Sequence, residues 1–553
     1  MGWRPTLPRS PGQRVLLAAA AFALIGWALQ LWRMQVLVAS MDQGILFQAL
    51  WNGLSGHPFE STLSSQLSTN VVHGGELPAI GYHRLGQHFT PTLALWIPLV
   101  AVLGKWALPL LQVALISAAG LVLYKLARTR LQPDLASWLV FAFYGANAVI
   151  GPCLGNFTDL SQLPLCVFAL LLGLERRQLW LTLLPALAMP LIREDTGVVL
   201  VGIGIWLILR QRSRWLLGAA LIVWGGGWVV LVTNVLMPLF SQDNSRRFMV
   251  ENFGQYLQGR DQASSMEVLA LVLRQPWVVI RELISPPGRT LGYLAGQGLP
   301  LAFIPFLALD SWLLMALPLL GLLLAQGFNN PLSINIRYTY LVVPGLFAGS
   351  IFWWERHRSL FESRRFRTLW RACILLSLLF TIGGNPNRSL SWVMPDSIQP
   401  WVYRTPWRQW QHAERAHAAM ALIPAGSSVA ANTPLVPHLA AREVIVRFPY
   451  DLAYRDRGGN THPVDWIAVD VDYQQRYAAA FPREEKSLRK TIRLLDKLQK
   501  EYGVRAVNDG VVILERGGAN DPAATHKLHT LITQPAGSAS GNPTKTMPPP
   551  RTS

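Results

Sequence analysis

The chain has 553 residues, 51% of them hydrophobic and only 14% charged, whereas an ordinary soluble protein carries about a quarter charged residues. Its formal net charge of +18 falls in short basic clusters between apolar runs, such as Arg210, Arg212 and Arg214. This pattern excludes a nucleic-acid face and matches the cation excess of cytoplasmic loops in membrane proteins, while three cysteines, all inside apolar stretches, exclude a disulfide framework.

Apolar runs long enough to cross a bilayer, about 20 residues each, recur from Arg14 to Gly384. The first, 15–38, follows Arg4, Arg9 and Arg14. It is too long for a signal peptide and lacks a small-residue cleavage site, so it reads as a retained helix with its N-terminus in the cytoplasm. Residues 39–105 read as an outer loop, polar and Gly-rich at first, ending in a juxtamembrane helix at 92–103. Further spans are expected at 106–126, 135–151, 160–174, 179–192, 196–209, 215–236, 290–309, 311–328, 340–354 and 369–384. That makes about eleven transmembrane helices, an odd count that puts the C-terminus outside.

After Gly384 the composition changes. Residues 385–406 are Pro- and Asn-rich, and a soluble α/β pattern follows: a helix at 407–423, strands at 428–431, 444–448 and 466–470, and an amphipathic helix at 487–502. Two strands, 504–508 and 511–515, flank Asp509-Gly510, a strong hairpin signal. The expected architecture is an all-α transmembrane bundle over 1–384 and an extracytoplasmic α/β domain over 385–516. Residues 517–553, rich in Gly, Pro, Ser, Thr and Asn, are expected to form a disordered tail. Residues 406–516 are expected to fold without the bundle.

Ionisable groups at the outer face are few. Asp42, in Met41-Asp42-Gln43-Gly44, sits just past the first span, where a helix N-cap is the more ordinary role and a catalytic carboxylate the sharper one. His88, in His88-Phe89-Thr90-Pro91, is by type more often structural than a ligand. Arg193-Glu194-Asp195 places three charges between two apolar runs of about 14 residues, which is costly near a bilayer unless they line a cavity. Asp159, in Asn156-Phe157-Thr158-Asp159, and Arg337-Tyr338 occupy outer loops on the same side. An arginine there suits a lipid-linked phosphate; an acid suits a general base or a metal ligand.

At these residues the sequence resembles a bacterial membrane-protein family, the domain of unknown function numbered two thousand and seventy-nine. Met41-Asp42-Gln43-Gly44-Ile45, Gly86-Gln87-His88-Phe89-Thr90-Pro91 and Arg193-Glu194-Asp195-Thr196-Gly197 carry the resemblance. So do Ile423-Pro424-Ala425-Gly426 and Val464-Asp465-Trp466-Ile467 further on. The layout also resembles that of GT-C glycosyltransferases. The resemblance implies a bacterial inner-membrane protein that takes a sugar from a polyprenyl-phosphate donor on the extracytoplasmic face, in contact with the lipid bilayer and without nucleic acid. It implies Asp42, with Asp159 as a second acid, as catalytic residues. His88, Arg193, Glu194, Asp195, Arg337 and Tyr338 would hold the donor phosphate. The chain departs from the pattern at Asn156-Phe157-Thr158-Asp159, where an Asp-Phe-His-Pro-like motif is expected, and no DxD pair follows the first helix. Metal dependence therefore stays open, a divalent cation such as magnesium or manganese being the cofactor to test. Two other readings stand beside the transferase: a transporter or lipid flippase, disfavoured because no internal repeat is found, and a non-catalytic binder of the carrier lipid.

Reporter fusions after Arg130, Arg212 and Arg367 are expected to behave as cytoplasmic, and fusions after Glu60 and Gly459 as external. A cytoplasmic signal at Gly459 would overturn the placement of the whole C-terminal domain.

Overall fold

The computed structural model describes residues 10–257, 259–260, 262–325 and 332–533. The N-terminal part is a helical bundle with four helices long and apolar enough to cross a membrane: Pro11–Gln35, Pro91–Ala127, Arg212–Phe240 and Arg364–Gly383. A fifth span is possible geometrically if the pair Pro133–Tyr144 and Asn147–Cys153, bent by 47°, counts as one. Leu179–Ile192, Gly197–Arg210 and Leu309–Leu324 are apolar but shorter, and fourteen residues rise only about 21 Å, short of the ~30 Å hydrocarbon layer. The stretches expected as about eleven spans thus form a mixture of long, bent and short helices among the described residues. The run at 290–309 is not one span. Helix Pro287–Gly298 ends and short 3-10 turns follow at Leu299–Leu301 and Ile304–Leu307, because Pro300 and Pro305 each lack an amide donor for a continuing helix.

The expected juxtamembrane helix comprises a 3-10 turn, Pro91–Trp96, and a helix, Ile97–Leu103. It is jointed to Ala107–Ala127 through Gly104 at φ +54°. Helices Gly197–Arg210 and Trp215–Leu231 pack backbone to backbone. A Cβ at Gly197 would lie 2.4 Å from the carbonyl oxygen of Gly225, and one at Gly204 would lie 2.6 Å from that of Gly218. Small residues of this kind let apolar helices approach closely where no hydrophobic effect draws them together.

The C-terminal region holds a five-stranded sheet in the order Ile445–Arg447, Val429–Ala431, Trp466–Asp470, Val511–Arg516, Tyr502–Asn508. The first three strands run parallel, and the last two join antiparallel as a hairpin. Asp509 and Gly510 at its tip both have positive φ, 49° and 82°, as a tight hairpin turn requires. Side chains alternate across the sheet. Ala430, Val446, Ile467, Val469 and Val512 face Leu488, Leu495 and Leu528. Their neighbours Val429, Ala431, Ile445, Trp466 and Ile513 face the other way and share a core with Met41, Ile45 and Leu46. Both faces are covered, which is why these strands read as continuous apolar runs.

One sequence expectation changes here. Residues 522–533, assigned to the disordered tail from 517, form the helix Pro522–Thr533, whose Ala524 and Leu528 are buried against the sheet; an apolar residue every fourth position supplied that face. Residues 534–553 lie outside the described residues. The outer loop also packs on the edge of this sheet. Thr62 Oγ1 donates to the carbonyl of Ile445 at 2.7 Å and accepts from its amide at 3.1 Å. The Gln66 amide group does the same for Arg447, at 3.0 and 2.6 Å, so two side chains stand in for a missing neighbour strand at the sheet edge.

Thr62→Val keeps the shape and removes both bonds to Ile445, leaving a buried donor and acceptor unpaired at a cost of about 1–3 kcal/mol. Hydrogen exchange of the amides at 445–447 is expected to speed up by about ten- to a hundredfold. Unchanged exchange would show that the edge needs no cap.

Candidate functional site

The outer loop packs against a break in the bundle, and the break is held by amide side chains. Gln30, on the first helix, donates to the carbonyls of Cys153 and Gly155 at 2.7 and 2.8 Å. Gln112, on Ala107–Ala127, donates to Pro152 and Cys153 and accepts from the amide of Thr158 at 2.8 Å. This irregular backbone would be costly in an apolar setting without such partners. Beyond it, Asn156 bridges Arg33 Nη2 at 2.7 Å and Ser40 Oγ at 2.6 Å. The amide of Phe157 donates to Gln43 Oε1 at 2.7 Å. The helix Met41–Trp51 is thereby pinned at its N-terminus. Its other constraint is Gly44, where a Cβ would come within 2.6 Å of Val436 Cγ1, so only glycine lets the helix lie against the C-terminal domain.

Ser40 is the N-cap of this helix, and Asp42 lies one residue inside its first turn. Asp42 is therefore not the cap. Its side chain is 53% exposed and faces Arg337 Nη1 at 3.7 Å. It opens onto a cavity of about 710 Å³ that is also lined by His88, Arg193, Glu194, Asp195, Arg337 and Tyr338. Four segments far apart in sequence thus meet in one space. Asp159 is buried beside them and is not part of the lining. Its Oδ1 accepts from Thr158 Oγ1 at 2.9 Å and from the amide of Leu160 at 3.0 Å. Burial works against its charge, but Arg193, His88 and Arg337 outweigh burial and hold the carboxyl below the usual carboxylate range.

Most charges in the cavity are already paired. Asp195 grips Arg193 with both oxygens, at 2.7 and 2.5 Å. Glu194 bonds His88 Nδ1 at 2.8 Å and the amide of Phe89 at 3.0 Å. Tyr338 lies between two guanidinium groups, with Arg193 5.3 Å and Arg337 5.5 Å from its ring centre. Further polar residues of the lining, among them Arg84, Gln87 and Arg247, were not singled out from sequence. Arg247 is paired with Glu251 at 3.0 Å, and Phe248 beside it stacks on His88, ring centres 5.4 Å apart. The lining also includes apolar side chains, such as Val268 and Val272 from the helix Ser265–Arg274 and Leu317 and Leu320 from Leu309–Leu324, and the polar Thr233, Asn244, Asn252 and Ser265. The space thus joins charged and oily side chains.

Among the described residues, the cavity carboxylates form no cluster of three ligand groups. The one such group is His412, Asp470 and Asp472, in the C-terminal domain. There Arg404 grips Asp472 at 2.7 and 2.8 Å. His412 bonds Asp470 at 2.9 Å and Asp509 at 3.1 Å. That set fits an ion-pair network better than a metal site. Burial disfavours the imidazolium of His412, but Asp470 first, then Asp509 and Asp472, outweigh it and push its pKa up to about 10.

A family model described as "Predicted membrane protein (DUF2079)" matches residues 31–513. No curated protein matches the chain. Among solved structures, the apo crystal structure of the Archaeoglobus fulgidus oligosaccharyltransferase is similar to it at a TM-score of 0.37 and 11% identity, over 88% of this chain and 73% of that one.

His412 has a folded-state pKa near 10 against about 6.5 unfolded. Its stabilising contribution is thus complete below about pH 6.5 and is lost as pH rises towards 10. The melting temperature of the full chain in detergent is expected to fall across that interval, and His412→Gln to flatten the fall. Parallel curves for both proteins would remove His412 from the account.

Proposed function

We propose, from the premise that this chain belongs to the DUF2079 family of predicted membrane proteins, that it is a GT-C-like glycosyltransferase using a polyprenyl-phosphate sugar on the extracytoplasmic face of the bacterial inner membrane. The observation that carries this reading is a single cavity lined by both charged and apolar side chains. Its arginines and its solvent-open carboxylate suit a phosphate and an acceptor hydroxyl, and its apolar lining suits an isoprenoid tail. The resemblance at Asp42, His88 and Arg193 supports it independently.

In this reading the acceptor oxygen attacks the anomeric carbon and Asp42 takes its proton. The bond from that carbon to the phosphate oxygen breaks, and the phosphate leaves with the electron pair. Asp42 is the base because it is the cavity acid least engaged: Glu194 bonds His88 and Asp195 bonds Arg193 at hydrogen-bond distance, while Asp42 faces Arg337 only at 3.7 Å. Arg337 then serves the departing phosphate, whose charge develops as the bond breaks. His88, through Glu194, and Tyr338, between the two arginines, fix the shape of the charged end. Asp159 acts from behind the wall by holding Arg193 and Arg337 in place.

Asp42→Asn is expected to lower transfer by about two to four orders of magnitude, with the melting temperature nearly unchanged because Ser40, not Asp42, begins the helix. The assay is sugar transfer in reconstituted vesicles carrying polyprenyl-phosphate donors. Full activity in this variant would end the assignment of Asp42. Retention of the carrier lipid by the wild type without any transfer would favour the non-catalytic binder instead.

A further inference from the structure

Arg84 stands apart from the other cations of the cavity. Arg193, Arg247 and Arg337 each have a carboxylate partner, at 2.5, 3.0 and 3.7 Å. Among the described residues Arg84 forms no ion pair, although it lines the same space. Its Nε is shielded from solvent and has no hydrogen-bond partner. The backbone fixes its position: the amide of Arg84 donates to Phe59 at 2.9 Å, and its carbonyl accepts from Gln87 at 2.8 Å and His88 at 3.1 Å. The chain therefore delivers a guanidinium to the wall without a directly paired anion, Asp159, Asp42 and Glu194 acting on it only from beyond ion-pair distance. A desolvated cation left that way is costly, and the cost is relieved when an anionic ligand arrives.

We infer that Arg84 is the primary anion-binding residue of the cavity, the group that receives the carrier lipid's phosphate. This rests on the reading of the cavity as a carrier-lipid site and deepens it. Asp195 and Glu251 are engaged by Arg193 and Arg247, while Asp42 faces Arg337, so among the lining arginines Arg84 alone has no carboxylate partner. Arg193, held with two bonds by Asp195, becomes a positioning residue under this inference.

The test uses the full chain in lipid nanodiscs and one defined diester probe, a polyprenyl methyl phosphate, with binding read by native mass spectrometry. Arg84→Gln is expected to weaken that binding by about ten- to a hundredfold, the worth of a charge-assisted hydrogen bond, while Arg84→Lys restores most of it. Melting curves for both variants report folding, and loss of binding in a variant that melts like the wild type counts for the inference. If the diester binds equally to Arg84→Gln and to the wild type, the inference fails while the carrier-lipid reading stands. If the wild type does not bind the diester, the carrier-lipid reading fails and takes the inference with it.

Discussion

Two glutamines inside apolar helices hold the rest of the site in place. Gln30 and Gln112 converge on the backbone from Pro152 to Thr158 and satisfy carbonyls and an amide that no helix serves. Backbone polar groups left unpaired in an oily setting cost several kcal/mol each, so this break could not exist without them. Once it exists, Asn156 and Phe157 have fixed positions from which to tether Ser40 and Gln43. The orientation of Asp42 follows from that tether. So does the placement of Asp159 beside Arg193 and Arg337.

The same economy runs through the cavity. Its charges are arranged as close pairs, which lowers the penalty for placing so many ionisable groups beside apolar walls. The pairs also make the site stiff. Arg193 is fixed by Asp195 on one side and by the Tyr338 ring on the other. His88 is fixed by Glu194 and by stacking on Phe248. Stiffness of this kind suits electrostatic stabilisation, where dipoles and charges work best when they need not reorganise.

Much of this was legible in the sequence, for a physical reason. Ionisable groups between apolar runs are expensive, so Asp42, Arg193, Glu194, Asp195 and Arg337 stood out, and they share one cavity. The strands of the C-terminal region were legible from their apolar runs and the Asp509-Gly510 turn. Arg84 was not, because a single cation in a long outer loop looks like ordinary solvated charge; only its missing partner distinguishes it. Gln30 and Gln112 carry no charge and scarcely dent the hydropathy of their helices. A lone amide inside a long apolar run was nevertheless a signal that could have been read. A helix capped by Asp42 was the ordinary reading, but the helix Met41–Trp51 is capped by Ser40, since both are good capping residues and only geometry separates them. Least legible was the shared core of the outer loop and the sheet, which joins residues that no local pattern connects.

That shared core sets an order on how the protein comes into being. Thr62 and Ile445, which bond to each other, are 383 residues apart, so a ribosome adding about 5–20 residues per second makes them roughly 20 to 80 seconds apart. Through that interval Gln48, Thr62 and Gln66 have no strand to cap, and Gly44 has no Val436 to lie against. The helix bearing Asp42 acquires its final seat only after the last sheet strands are made. A chain that stops early lacks not only a domain but the floor beneath its carboxylate. Completion of synthesis and assembly of the cavity are one event.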